Sequence, residues 1–222
     1  MIARFGPETA LLLIDCQVGV NALAHWGGAT GRRNNPGADG RIRALLARWR
    51  EAGLPVAFTR HDSREPDSPL KLDAPGGAML EGIEPRAGEI VIDKDVNSAW
   101  IGTDLELRLR QARVHRLVVA GYFTNFCVET SVRMAGNLGY DTYLAHDACA
   151  TCNHWGPDGA DHDPELLHRV SVANLHGEFC TALASGDAIS LTRRDAPHLS
   201  RAQGNEEGIA PPAVRATFKE PA

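Results

Sequence analysis

The chain has 222 residues, 43% of them hydrophobic, with a formal net charge of -5 and a pI near 6. That is the size of one large domain with a full core, which excludes a disordered chain, and the acidic balance argues against a nucleic-acid binder, which needs a basic face. No apolar run approaches the roughly 20 residues that span a bilayer, so neither nucleic acid nor a membrane is expected as a partner.

The first stretch, "MIARFGPETALLLIDC", lacks the charged, apolar, then small order of a signal peptide. Its apolar run, residues 9–15, reads instead as a first buried strand. Five cysteines are an odd number in a chain able to build its own core. Reduced thiols and a cytoplasmic protein are therefore expected.

Further strands are expected at 54–60, 88–94, 115–121 and 140–146, with a last one at 187–192. Helical spacing marks 41–53, 102–114, 125–139 and 163–177. Thr103 is read as an N-cap, and Asp163 as a cap followed by Pro164 at the first helical position. Residues 61–87 read as a long loop and residues 193–222 as a polar tail, either disordered or reaching a partner subunit. Alternating strand and helix predicts an α/β domain over residues 1–192, with a mostly parallel sheet and helices on both faces.

In such a sheet, ligands bind beyond the carboxyl ends of the strands. Asp15 ends the first strand, Lys94 ends the third, and Cys127 follows the fourth in the first turn of a helix. An acid, an ammonium and a thiol on one edge suit nucleophilic catalysis. Asp15 takes the thiol proton, and both Lys94 and the helix N-terminus favour the thiolate. On this reading Cys127 is an unusually acidic thiol. Each residue also has a plain role: a buried core cysteine, a turn-forming Asp, a solvated Lys.

The stretches "LLLIDCQVG", "KDVNSAWIGTDLELRL" and "VVAGYFTNFCVETSVRMAGNLGYDTYLAHDACAT" together resemble the isochorismatase-like cysteine hydrolases over roughly residues 9–192. The resemblance implies a three-layer fold with a six-stranded parallel sheet, usually dimeric or larger, so a homodimer or homotetramer is expected. It also implies a triad of Asp15, Lys94 and Cys127, a cis peptide between Tyr122 and Phe123, and an oxyanion hole from the backbone N–H groups of Phe123 and Cys127. Gln17, His61, Arg64, Trp100 and Tyr122 are implied as substrate-pocket residues. True isochorismatases cleave a vinyl ether, some without the cysteine; Cys127 favours C–N cleavage, in a small amide or ureide. The nicotinamidase metal pattern needs further histidines after the second strand. Here His61 has no second histidine until His115, so neither a metal nor another cofactor is expected.

"HDACATCNHW" offers a competing reading. Cys149 and Cys152, with His146 and His154, have the residue types of a zinc site, or of a redox pair. A single Cys-x-x-Cys with no following helix makes either the minor alternative. Cys16 is expected in the core, and His176 as a helix-terminal packing residue.

Overall fold

The computed structural model describes residues 4–192, so the expected tail at 193–222 lies outside the described residues. In chain order the strands are β1 (Thr9–Ile14), β2 (Val56–His61), β3 (Ile90–Lys94), β4 (Arg116–Tyr122), β5 (Asp141–Ala150), β6 (His154–Trp155), β7 (Asp161–His162) and β8 (Thr181–Leu183). The helices are α1 (Leu23–Trp26), α2 (Ala38–Glu51), α3 (Leu105–Gln111), α4 (Glu129–Asn137), α5 (Pro164–Leu175) and α6 (Ser185–Leu191).

Six strands form one parallel sheet in the order β3-β2-β1-β4-β5-β8. Every residue of β1 is buried, as a central parallel strand covered on both faces requires. Trp49, Leu45, Leu46 and Ile42 give α2 a buried face against the sheet, and α6 packs beside it. A second layer, α4 with α5, packs on the sheet through β5 and β8. The chain leaves β1 for β2 and β3 on one side and returns to place β4 on the other. The strand order thus reverses between β1 and β4, and the carboxyl ends at such a reversal are where open parallel sheets bind ligands.

The segment 187–192 is not the expected strand. Ser185–Leu191 is a helix, anchored where the Ser185 N–H donates to Asp147 Oδ1 at 2.7 Å. The last strand is Thr181–Leu183, three residues and too short to show a period. Residues 154–162 form a small antiparallel hairpin that the sequence reading did not anticipate. Asp163 does cap α5, accepting from the N–H groups of Glu165 and Leu166, with Pro164 first in the helix. At α3 the cap position falls on Asp104 rather than Thr103, whose hydroxyl donates to the Ala99 carbonyl at 2.7 Å. His176 ends α5 and accepts the Ala182 N–H at 3.0 Å, the structural role expected of it.

Candidate active site

Asp15 stands one residue beyond β1 with φ of 50°, in the left-handed region that non-glycine residues seldom occupy. Its N–H is held by Thr59, both by the carbonyl at 3.2 Å and by Oγ1 at 3.1 Å. The carboxylate, 1% exposed, receives the Thr59 hydroxyl on Oδ1 at 2.5 Å and the Lys94 ammonium on Oδ2 at 2.6 Å. A buried charge needs such pairing, since desolvation otherwise costs several kcal/mol, on the order of the whole domain's stability.

Lys94 ends β3, in register with His61 on β2. Its ammonium makes three donations: to Asp15, to His61 Nδ1 at 2.9 Å and to the Val96 carbonyl at 3.2 Å. Burial alone lowers a lysine's pKa, but the Asp15 carboxylate beside it outweighs that and holds Lys94 above the ordinary value. His61 moves the other way: burial, then the Lys94 charge, lower its pKa, so the ring is neutral at pH 7.

Cys127 lies in a π-helical turn, Thr124–Val128, that leads into α4. The Tyr122–Phe123 peptide just before it is cis, as the family resemblance implies. Gly121 permits this exit from β4: its φ is 131°, and a Cβ there would sit 2.1 Å from the Ile14 carbonyl oxygen. Cys127 Sγ lies 3.7 Å from Asn97 Oδ1, and the ligand atoms of Asp15, His61 and Cys127 fall within 4.8 Å of one another.

One expectation is reversed. The thiol is not acidified. Burial raises its pKa, the Asp15 carboxylate raises it further, and Lys94 offsets this only in part. At rest the sulfur carries its proton, with the Asp15 carboxylate beside it.

Of the expected pocket residues, His61 lies against Lys94, Asp15 and Cys127. Gln17 is buried as a brace: its side-chain amide donates to the carbonyls of His61 and Gly77, and its Oε1 accepts the His61 N–H at 2.7 Å. Tyr122 is a fully buried ring whose hydroxyl bonds Asp39, with Arg33 stacked on its face. Trp100 donates to the Ser131 carbonyl at 2.9 Å and packs on Tyr140. Arg64 is exposed and paired with Asp95 at 2.9 Å. Thr59 and Asn97 are the site residues that sequence reasoning missed. Thr59 is a polar residue near the end of an apolar strand, which is the signal that marks it. Asn97 lies three residues past Lys94 and is exposed at the rim. Behind the π turn, buried His168 meets Thr124 Oγ1 at 2.9 Å.

Asp15, His61 and Cys127 have donor types that suit a metal, but Lys94 Nζ bonds both Asp15 and His61, so a cation already stands among them. Cys149, Cys152, His146 and His154 form no such group among the described residues. Cys149 is fully buried within β5 and its thiol faces the Ala145 carbonyl at 3.6 Å. A cavity of about 690 Å³ lined by Phe5, Pro7, Glu8, Arg48 and Leu54 opens at the opposite, amino end of the strands.

The isochorismatase domain profile matches residues 9–183, and the chain belongs to the isochorismatase family of hydrolases. It is 37% identical to YrdC of Bacillus subtilis, an uncharacterized isochorismatase family protein, over 82% of this chain and 95% of that one. A putative hydrolase of the isochorismatase family from Chromobacterium violaceum superposes with a TM-score of 0.78 at 43% identity, covering 85% of this chain and 95% of that one. The ureidoacrylate amidohydrolase RutB of Methylobacterium radiotolerans is 28% identical over 80% of this chain and 77% of its own length. No helix among the described residues is long and apolar enough to cross a membrane.

Proposed function

We propose that this hydrolase cleaves an amide or ureide C–N bond in a small molecule through a thioester on Cys127. The observation that carries the reading is a buried carboxylate, fixed by Thr59 and Lys94, within reach of a buried thiol whose burial favours the protonated form. A protonated thiol needs a base at the moment of attack, and Asp15 is that base. The likeness to a ureidoacrylate amidohydrolase supports the same bond type.

The thiol proton passes to Asp15 as sulfur attacks the carbonyl carbon. The oxyanion is held by the N–H groups of Phe123 and Cys127, each such donor contributing about 3 kcal/mol in comparable sites. Asp15 then protonates the leaving nitrogen, the C–N bond breaks, and ammonia or an amine departs. Water gives a proton to Asp15 and its oxygen attacks the thioester. The C–S bond breaks, the proton returns to sulfur, and the acid leaves. Lys94 stays protonated throughout and stabilises the carboxylate between transfers.

The test is intact-mass spectrometry with ammonia release, across a panel of small amides and ureides, on wild type and Cys127→Ala. An acyl adduct and ammonia from wild type alone are expected. Ammonia from both proteins removes the thioester route, and turnover of a vinyl ether by Cys127→Ala replaces C–N cleavage with the isochorismatase reaction.

A further inference from the structure

The triad leaves one buried group unused. His61 is 9% exposed, and its ring nitrogen is closer to Lys94 than any acceptor except Asp15. An ammonium has three hydrogens, and a buried one without an acceptor loses a charged hydrogen bond. Asp15 Oδ2 and the Val96 carbonyl take two of them. The third goes to Nδ1 of His61 at 2.9 Å, a stronger acceptor than the Cys127 sulfur that also neighbours the ammonium. With Lys94 charged, Nδ1 must be the unprotonated nitrogen, so the neutral ring carries its hydrogen on Nε2.

The backbone places the ring with care. His61 and Lys94 are register partners in the parallel β2–β3 ladder, so their side chains leave the same face of the sheet. Gln17 clasps His61 at both its N–H and its carbonyl, tying the end of β2 to the turn after β1 that carries Asp15. The same strand that orients Asp15 through Thr59 thus orients Lys94 through His61.

We propose that His61 is a positioning residue of this site: its Nδ1 lone pair holds the third ammonium hydrogen of Lys94 and so fixes that ammonium on Asp15. This rests on the C–N hydrolase reading for its kinetic consequence but not for its geometry. It makes a neutral His61 a condition of activity. A protonated ring sets two cations against each other at the distance of a hydrogen bond, takes away the third acceptor of Lys94 and competes with it for Asp15, whose Oδ2 lies 3.9 Å from His61 Nδ1. The charged and titratable groups facing the ring are Lys94 and Asp95 at the end of β3, Asp15 after β1, its own neighbour Asp62, and the Cys127 thiol after β4. Asp95 is engaged by Arg64.

The experiment has two arms. Imidazole 15N NMR of the intact protein, with the His61 signals assigned by their loss in His61→Asn, reads the tautomer without any substrate. A neutral ring is expected, with an acceptor-type Nδ1, a protonated Nε2 and a titration midpoint below the ordinary value of about 6.5. In Lys94→Met the midpoint moves up. A protonated Nδ1 at neutral pH, or a midpoint that Lys94→Met leaves unmoved, overturns the proposal. In the second arm, kcat and KM are measured on the amide that wild type turns over. His61→Leu lowers kcat by about tenfold or more, the worth of one hydrogen bond to a charge, with KM unchanged. His61→Asn, whose Oδ1 falls near the place of Nδ1, recovers kcat and loses the acid limb belonging to His61. Equal damage in both variants, or damage confined to KM, overturns it in favour of packing or substrate contact. If wild type turns over no amide, the C–N reading fails by itself and the NMR arm still decides the role of His61.

Discussion

Replacing Lys94 with Met tests the charge balance at the centre of the site. The side chains are of similar length, and both partners of the Lys94–Asp15 pair are sealed from water, at 0% and 1% side-chain exposure. Solvent screening therefore does little to soften the loss. Removing one partner of a buried pair costs about 3–5 kcal/mol, because the other charge is left uncompensated. The Thr59 hydroxyl still bonds Asp15 Oδ1, which favours the lower end of that range. For a chain of this size the corresponding fall in Tm is on the order of 10 °C. Asp15→Asn strands the ammonium instead, with His61 and Val96 as its remaining acceptors. The double variant Asp15→Asn/Lys94→Met has no buried charge to strand and is expected to be more stable than the two single losses predict by addition. The assay is urea unfolding of the four proteins at one pH. If Lys94→Met unfolds at the wild-type midpoint, or if the losses simply add, the pair does not hold the site as argued.

Thr59→Val keeps the shape but removes the donor to Asp15 Oδ1, and is expected to lose about 1.5–3 kcal/mol in denaturant titration together with activity. Gly121→Ala forces a Cβ against the Ile14 carbonyl in a backbone region closed to alanine, so a loss of more than about 1 kcal/mol should appear in thermal melts, with turnover falling further than stability. Because burial raises the Cys127 thiol, its iodoacetamide labelling, followed by peptide mass spectrometry, should quicken steadily from pH 7 to 9; a plateau below pH 7 contradicts this. Lys94 is held above its ordinary value, so its contribution to stability is full below about pH 10.4 and disappears as pH rises through the folded value. Alkaline melts should therefore show no loss from this pair below that pH.

Much of the fold was legible because parallel strands carry unbroken apolar runs. "ALLLI" and "LVVAG" can be little else, and the glycine stops of α2 and α4 are plain. Ends of strands were legible too, which is why Asp15, Lys94 and Cys127 could be placed on one edge. Side-chain direction and solvent access were not. "DAISLT" has no period that separates a strand from one short helix, and its helix depends on Asp147, distant in sequence. Cys127 reads as acidified in sequence because it opens a helix and shares a sheet edge with Lys94; the desolvation that outweighs both arises only when the sheet and helices close over it. Gln17 and Tyr122 lie where a pocket residue belongs in sequence, yet their polar atoms are taken by His61, Gly77 and Asp39.

The reversal in strand order divides the site along a seam. Asp15, Thr59, His61 and Lys94 all belong to the β1–β2–β3 side, whereas Cys127 hangs from β4. At the carboxyl ends of the strands the two sides meet where Ile14 pairs with Gly121. A small shear along that seam changes the gap between base and sulfur while every bond within the charged group stays intact. On the proposed mechanism the base and the sulfur therefore sit on separate mounts, and the tight Ile14–Gly121 contact sets the reach between them.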